Sequence, residues 1–282
     1  MKLKKTILNS LCYRAVFDYP LTFYQLSTFL FDVDGGTSLA TYKRSLDGLV
    51  NEGKVVYAFG KYLLPEKDYI HWEKRYKASE GLIKKAEKIS KILSKIPWIK
   101  FIGITGTVSA FAATEEDDID VLIISQKNRL WLVRGFVFVI LKLLGELRTD
   151  KKPQRKICPN IFLSEDNLVW GQGENEYVAN EVAMMHPLYD KNDTYFRFLS
   201  KNNWIFNYFE NFKVSFNKMA KIKSRKSFML NMLEELAFVL QRKYMEKKQT
   251  TETIERNRIH FNKTDHTNRI LGKYSDIKSS HL

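Results

Sequence analysis

Cysteine is almost absent from this 282-residue sequence. Cys12 and Cys158 lie far apart in the chain, which excludes a disulfide framework and offers no zinc cluster. The five histidines are scattered and do not change that, and His260 and His266 are expected to have no ligand roles. Long apolar runs are lacking too. The nearest, residues 130–144, is broken by Arg134 and Lys142 and falls short of the ~20 apolar residues a membrane-spanning helix needs. It predicts a buried helix packed on a sheet. No internal repeat or low-complexity linker is present. The lysine-rich start is followed by Asn9, Ser10, Arg14 and Asp18 rather than by an apolar signal segment. These absences predict a cytoplasmic protein without a membrane partner.

What is present supports a core and a basic surface. Hydrophobic residues make up 44% of the chain, enough for two or three modules at this length. The formal net charge is +14, and residues 201–282 carry 17 Lys/Arg against 8 Asp/Glu. A surface of that sign suits a polyanion such as nucleic acid, or a nucleoside triphosphate.

The pattern divides into residues 1–65, 66–170 and 171–282. In the first part, Ile7, Leu8, Leu11 and Ala15 recur at helical spacing. Thr22 can cap a second helix running to Phe31, Gly35-Gly36 makes a turn, and Ser38 can cap a third helix carrying Leu39, Leu46, Leu49 and Val50. Gly53 ends it, and short strands at 54–57 and 61–64 flank Gly60. Three helices and a hairpin predict a winged helix-turn-helix. Its third helix would expose Thr41, Lys43 and Arg44 to DNA, with Lys61 on the wing touching phosphate, although Asp32, Asp34 and Asp47 dilute the local positive charge. A charged helix at 69–95 then presents Leu82, Ala86, Ile89 and Leu93 on one face. The last part predicts a Gly171-Gln172-Gly173 loop, a helix at 177–185, an aromatic-rich stretch at 189–216, a helix at 227–247 built on Leu230, Leu233, Ala237, Leu240 and Tyr244, and a polar tail from 249.

The most informative segment is central. Ile104-Thr105-Gly106-Thr107 reads as a strand ending in a glycine turn, and Asp118-Ile119-Asp120-Val121-Leu122-Ile123-Ile124 as an apolar strand with two carboxylates at its mouth. Side chains at i and i+2 share a face, so Asp118 and Asp120 project together while Ile119, Val121 and Ile123 point into the core. Paired carboxylates of this kind suit a divalent cation.

The stretch from Thr105 to Asp120 resembles the signature of the nucleotidyltransferase fold, the superfamily of DNA polymerase beta. That pattern is a Gly-Ser or Gly-Gly turn, about a dozen residues, then Asp-x-Asp on the next strand. Thr107 stands where Ser is usual, and Phe111 replaces a small residue and is expected to crowd the phosphate site. The wider arrangement looks like microbial nucleotidyltransferase-domain proteins with an N-terminal winged helix. The resemblance implies an α+β chain: a winged helix-turn-helix, a central nucleotidyltransferase-fold mixed sheet with helices, and a helical C-terminal region. It further implies Mg²⁺-dependent transfer of a nucleoside monophosphate from an NTP to an acceptor. Two magnesium ions about 3.5–4 Å apart neutralise the attacking and leaving oxygens in such chemistry. Asp118 and Asp120 would hold the metal, while Gly106, Thr107 and a helix starting near Val108 would meet the phosphates.

Active members usually add a third carboxylate from a neighbouring strand. Here that strand is predicted at 156–163, with Ile157, Ile161 and Leu163 on one face and Cys158, Asn160 and Phe162 on the other. Asn160 therefore takes the third catalytic position, and it is neutral; Glu165, Asp166 or Glu181 would have to supply the missing acid. Two alternatives stand beside the transferase: a catalytically silent nucleotide-binding relative that regulates DNA through its winged helix, and a toxin–antitoxin-type protein that modifies a partner.

Overall fold

The computed structural model describes residues 2–31, 37–65, 71–171, 173–209, 211–212, 227–246, 253–261 and 266–282. The expected Gly35-Gly36 turn with Asp32 and Asp34, the first residues of the charged helix at 69–70, Gln172, residues 213–216 of the aromatic stretch, and 247–252 of the last helix and tail lie outside them. Among the described residues the chain is mixed α+β, with eleven helices, a six-stranded mixed sheet and a two-stranded sheet.

The N-terminal part contains α1 (Lys2–Ala15), α2 (Phe23–Thr28), α3 (Leu39–Asn51) and the antiparallel hairpin β1 (Val56–Ala58) and β2 (Lys61–Leu63). Its helix starts follow local chemistry. Thr22 accepts from Gln25 N–H while the Gln25 side chain accepts from Thr22 N–H, a reciprocal capping box that satisfies two otherwise orphaned donors. The Ser38 hydroxyl accepts from Thr41 N–H at 3.1 Å and starts α3. α2 ends at Thr28, earlier than the sequence suggests.

The central sheet has the order β6-β3-β4-β5-β8-β7. It is built from β3 (Ile99–Ile104), β4 (Ile119–Ser125), β5 (Ile157–Ser164), β6 (His186–Asp190), β7 (Thr253–Ile254) and β8 (Arg258–His260). Among the described strands only β4 and β5 pair in parallel, and α6 (Leu130–Leu143) makes the crossover that a parallel pair requires. One face packs Ile102, Ile104, Val121, Ile123 and Phe162 against α4 (Trp72–Leu93) and α6. The other packs Phe101, Leu122, Ile124, Ile161 and Leu163 against α7 (Glu176–Ala183) and α8 (Thr194–Lys201). The remaining helices are the one-turn α5 (Gly106–Ser109) and α9 (Ile205–Tyr208), then α10 (Phe228–Glu246) and α11 (His266–His281).

Two features depart from the expected pattern. The C-terminal part, 171–282, is not purely helical, because β6, β7 and β8 all join the central sheet, and α11 inserts Ile270 and Tyr274 into the core around α1. In β5 the register against β4 shifts after Val121–Pro159 so that Leu122 pairs with Ile161, leaving Asn160 as an extra residue. A bulge of this kind reverses the alternation beyond it. Ile157 therefore shares a core with Phe162, while Ile161 and Leu163 face the opposite side. No helix among the described residues is long and apolar enough to cross a membrane.

Candidate functional site

The site forms where β3 turns and β4 begins. Antiparallel pairing of Ile104 with Val121 carries the chain past β4, and Thr105 N–H donates to the Asp120 carbonyl at 3.0 Å. Gly106 follows at φ +68°, a conformation that disfavours other residues. A Cβ there would sit 3.1 Å from Asp120 Oδ2, so glycine is required both for the turn and for the close approach of the carboxylate. Thr107 is exposed, in the one-turn helix α5, which starts at Gly106 rather than near Val108. Phe111 does not crowd this turn: it adopts φ +55° and stacks on Tyr76 with centroids 5.2 Å apart.

Asp118 immediately precedes β4 and Asp120 lies within it. Parallel pairing sets Cys158 of β5 beside Asp120. One potential ligand atom from each of Asp118, Asp120 and Cys158 lies within 4.8 Å of the others. Asn160 Nδ2 donates to Asp120 Oδ1 at 2.8 Å, whereas Asn160 Oδ1 is buried without a hydrogen-bond partner. Arg148, from the loop before β5, sets Nε 3.2 Å from Asp118 Oδ2.

The third carboxyl group comes from α7. Gly106 N–H donates to Glu181 Oε2 at 3.1 Å, so the backbone donor expected to meet phosphate is engaged by a carboxylate of the same chain. Glu165 and Asp166 lie beyond the far end of β5, where Glu165 pairs with Arg197 and Asp166 with Lys127. Of the acids considered for the vacant position, Glu181 is the one brought to Gly106 and Asp120.

This crowding changes the titration of the group. Burial pushes Asp120 up to about 7, with the charges of Asp118 and Glu181 adding to the effect. Burial also lifts Glu181 to about 7, opposed by the Gly106 N–H. Asp118 is raised by burial and held down in part by Arg148. Cys158 is pushed well above the usual thiol range, mainly by burial and then by the two aspartates, and is therefore a protonated thiol at neutral pH.

Arg14 is a neighbour with no motif to announce it. This buried side chain of α1 donates to the Ala110 carbonyl at 3.1 Å and to Met184 Sδ at 3.0 Å, tying the N-terminal helices to the segments after α5 and α7.

Of the proposed DNA contacts, Thr41, Lys43 and Arg44 are exposed on α3, with Lys43 paired to Asp47. Lys61 does not reach outward. It is buried, with Nζ 4.8 Å from the Tyr19 ring centroid and 4.5 Å from that of Trp72, so the aromatic faces take the place of a phosphate.

No protein-family model matches the chain, and no curated protein or solved structure matches it significantly.

Proposed function

We propose that this protein is a magnesium-dependent nucleotidyltransferase that moves a nucleoside monophosphate from an NTP onto an acceptor. The observation that carries the reading is the pair Asp118 and Asp120, projecting together at the mouth of β4 against the glycine turn at Gly106. The oxygen donors fit a hard cation: two carboxylates, with the unpartnered buried Oδ1 of Asn160 beside them. The protonated thiol of Cys158 does not suit magnesium and is better read as a neutral wall of the site. When bound, magnesium neutralises charge on the phosphate oxygens as pyrophosphate leaves.

The chain's own groups then divide the remaining work. Asp118 and Asp120 hold the ion, with Arg148 orienting Asp118. Gly106 lets the backbone approach phosphate, and the exposed Thr107 supplies a hydroxyl. Glu181, poised near neutrality, accepts the acceptor's proton. Because the Gly106 N–H donates to Glu181, an arriving phosphate exchanges one anion for another at that donor.

Incubation with magnesium and α-labelled NTPs, with RNA, DNA and protein acceptors, tests the reading. Label transfer that disappears in Asp118→Asn and Asp120→Asn is expected. A wild-type chain that neither transfers label nor binds NTP in magnesium would overturn it.

A second reading, a nucleotide-binding regulator without turnover, draws on a specific observation: β5 offers Cys158 and Asn160 where a third carboxylate would stand. Under it the three helices and hairpin of the N-terminal part act as a winged helix on DNA through Thr41, Lys43 and Arg44. Magnesium-dependent NTP binding without label transfer would favour this reading.

The raised carboxyls give a pH prediction. A carboxyl raised by folding favours the folded state when protonated. Its contribution is complete below the unfolded value of ~4 and is lost as pH rises through about 7. Metal binding needs the ionised forms and so runs the opposite way. The rise in melting temperature produced by magnesium is expected to be larger at about pH 8 than at about pH 6. Equal rises at both would remove Asp120 from the metal's ligands.

A further inference from the structure

The helix α10 packs inward with a mixed face, on which Ala237, Phe238 and Met245 join the core beside two polar side chains, Glu234 and Gln241. Glu234 accepts from Trp131 N–H at 2.9 Å and Leu132 N–H at 3.0 Å, capping the start of α6. Further along α10, Gln241 donates to the Trp131 carbonyl and accepts from Arg134. The apolar stripe expected to build the core divides: Leu230 and Ala237 are half-buried, whereas Leu233, Leu240 and Tyr244 are exposed. A second stripe, Met229, Met232, Leu233, Leu236, Val239 and Leu240, is 44–69% exposed. At 3.6 residues per turn its members fall in one sector of the helix, opposite Glu234 and Gln241.

The stripe is of the size of a small interface. At roughly 150 Å² per large apolar side chain, the six residues on α10 leave on the order of 500 Å² uncovered, at the upper end of the ~300–600 Å² of the largest patch on a typical monomer. Two copies meeting there would bury on the order of 1,000 Å², the least that a specific interface needs.

We propose that α10 is the seam of a two-fold homodimer, pairing antiparallel with α10 of a second copy. The spacing is that of a heptad seam: Met229 and Leu236 repeat at seven residues, as do Met232 and Val239, and Leu233 and Leu240. The flank of the stripe selects a second copy as the occupant. Glu235 and Arg242 are also seven apart and so occupy the same heptad position. In an antiparallel two-fold pair centred near Val239, Glu235 of each chain meets Arg242 of the other, giving two opposite-charge contacts from one surface. Within the chain Glu235 pairs with Arg256, and Arg242 lies over Phe238, so both side chains are already held along that edge.

Sedimentation of the full chain over a dilution series tests this, with dimer expected at twice the 33.2 kDa chain mass. Leu236→Glu should weaken dimerisation by at least about thirtyfold, the scale of a central interface residue. Circular dichroism checks that the variant folds. Glu235→Arg and Arg242→Glu should each weaken it, and the double reversal should restore it. A monomeric wild type overturns the proposal, including one that floats with anionic phosphatidylserine vesicles and so uses the face for lipid. A dimer indifferent to Leu236→Glu and to both charge reversals overturns it as well.

Discussion

Asp120→Asn is expected to abolish magnesium-dependent NTP binding while making the metal-free protein more stable at about pH 8. The two effects share one cause. Asp120 is buried beside Asp118 and Glu181, and its raised titration near 7 means that ionising it costs the folded state free energy. A tenfold change in acidity corresponds to about 1.4 kcal/mol, so removing the charge should gain on the order of 1–4 kcal/mol above neutrality and nothing near pH ~4. Asparagine keeps the Oδ1 that accepts from Asn160 Nδ2, so the local hydrogen bond survives. Metal affinity should fall by about a hundredfold or more, since outer-shell changes alone cost about 10–100-fold. Calorimetry with MgATP and melting curves at two pH values separate these outcomes. Unchanged MgATP affinity in the variant, whatever its melting temperature, would end the metal-site reading.

The legible half of the site was local. Gly106 follows β3, and Asp118 and Asp120 stand at the start of the next strand, β4, so strand alternation alone puts both carboxylates on one face beside the turn. Helix starts at Thr22 and Ser38 were equally readable, because a cap is a matter of three adjacent residues. What was hidden depends on pairing across the chain. Alternation placed Cys158 and Asn160 together but missed that Asn160 is a bulge residue, after which Phe162 changes faces. Arg148 and Arg14 come from a loop and a distant helix, with no spacing to announce them. Glu181 was one of three acids that composition could not separate; only the position of α7 on the sheet singles it out. Periodicity placed the helix α10 but only part of its buried face: Leu230 and Ala237 are half-buried, whereas Leu233, Leu240 and Tyr244 are exposed because the hydrogen bonds of Glu234 and Gln241 to α6 set the helix's rotation. Lys61 failed for a similar reason: a lysine in a hairpin reads as exposed until Tyr19 and Trp72 are seen to enclose it.

Asn160→Asp is expected to make the fold depend on the metal. In the wild type Nδ2 donates to Asp120 Oδ1 at 2.8 Å. The substitution replaces that donor with a second carboxyl in the same place. Losing the hydrogen bond costs about 1–3 kcal/mol for a buried acceptor left unsatisfied. At neutral pH the two carboxyls would share a proton rather than both ionise. The metal-free variant should therefore melt below the wild type, with the gap widening as pH rises from about 6 to about 8. Magnesium would reverse the balance, because Asp118, Asp120 and residue 160 would then offer it three carboxylates. Its addition should raise the melting temperature more in the variant than in the wild type, tighten magnesium binding in calorimetry, and increase label transfer from NTP. A variant that melts early and is not rescued by magnesium would show that Asn160 serves the bulge and the Asp120 hydrogen bond alone, and would take residue 160 out of the site.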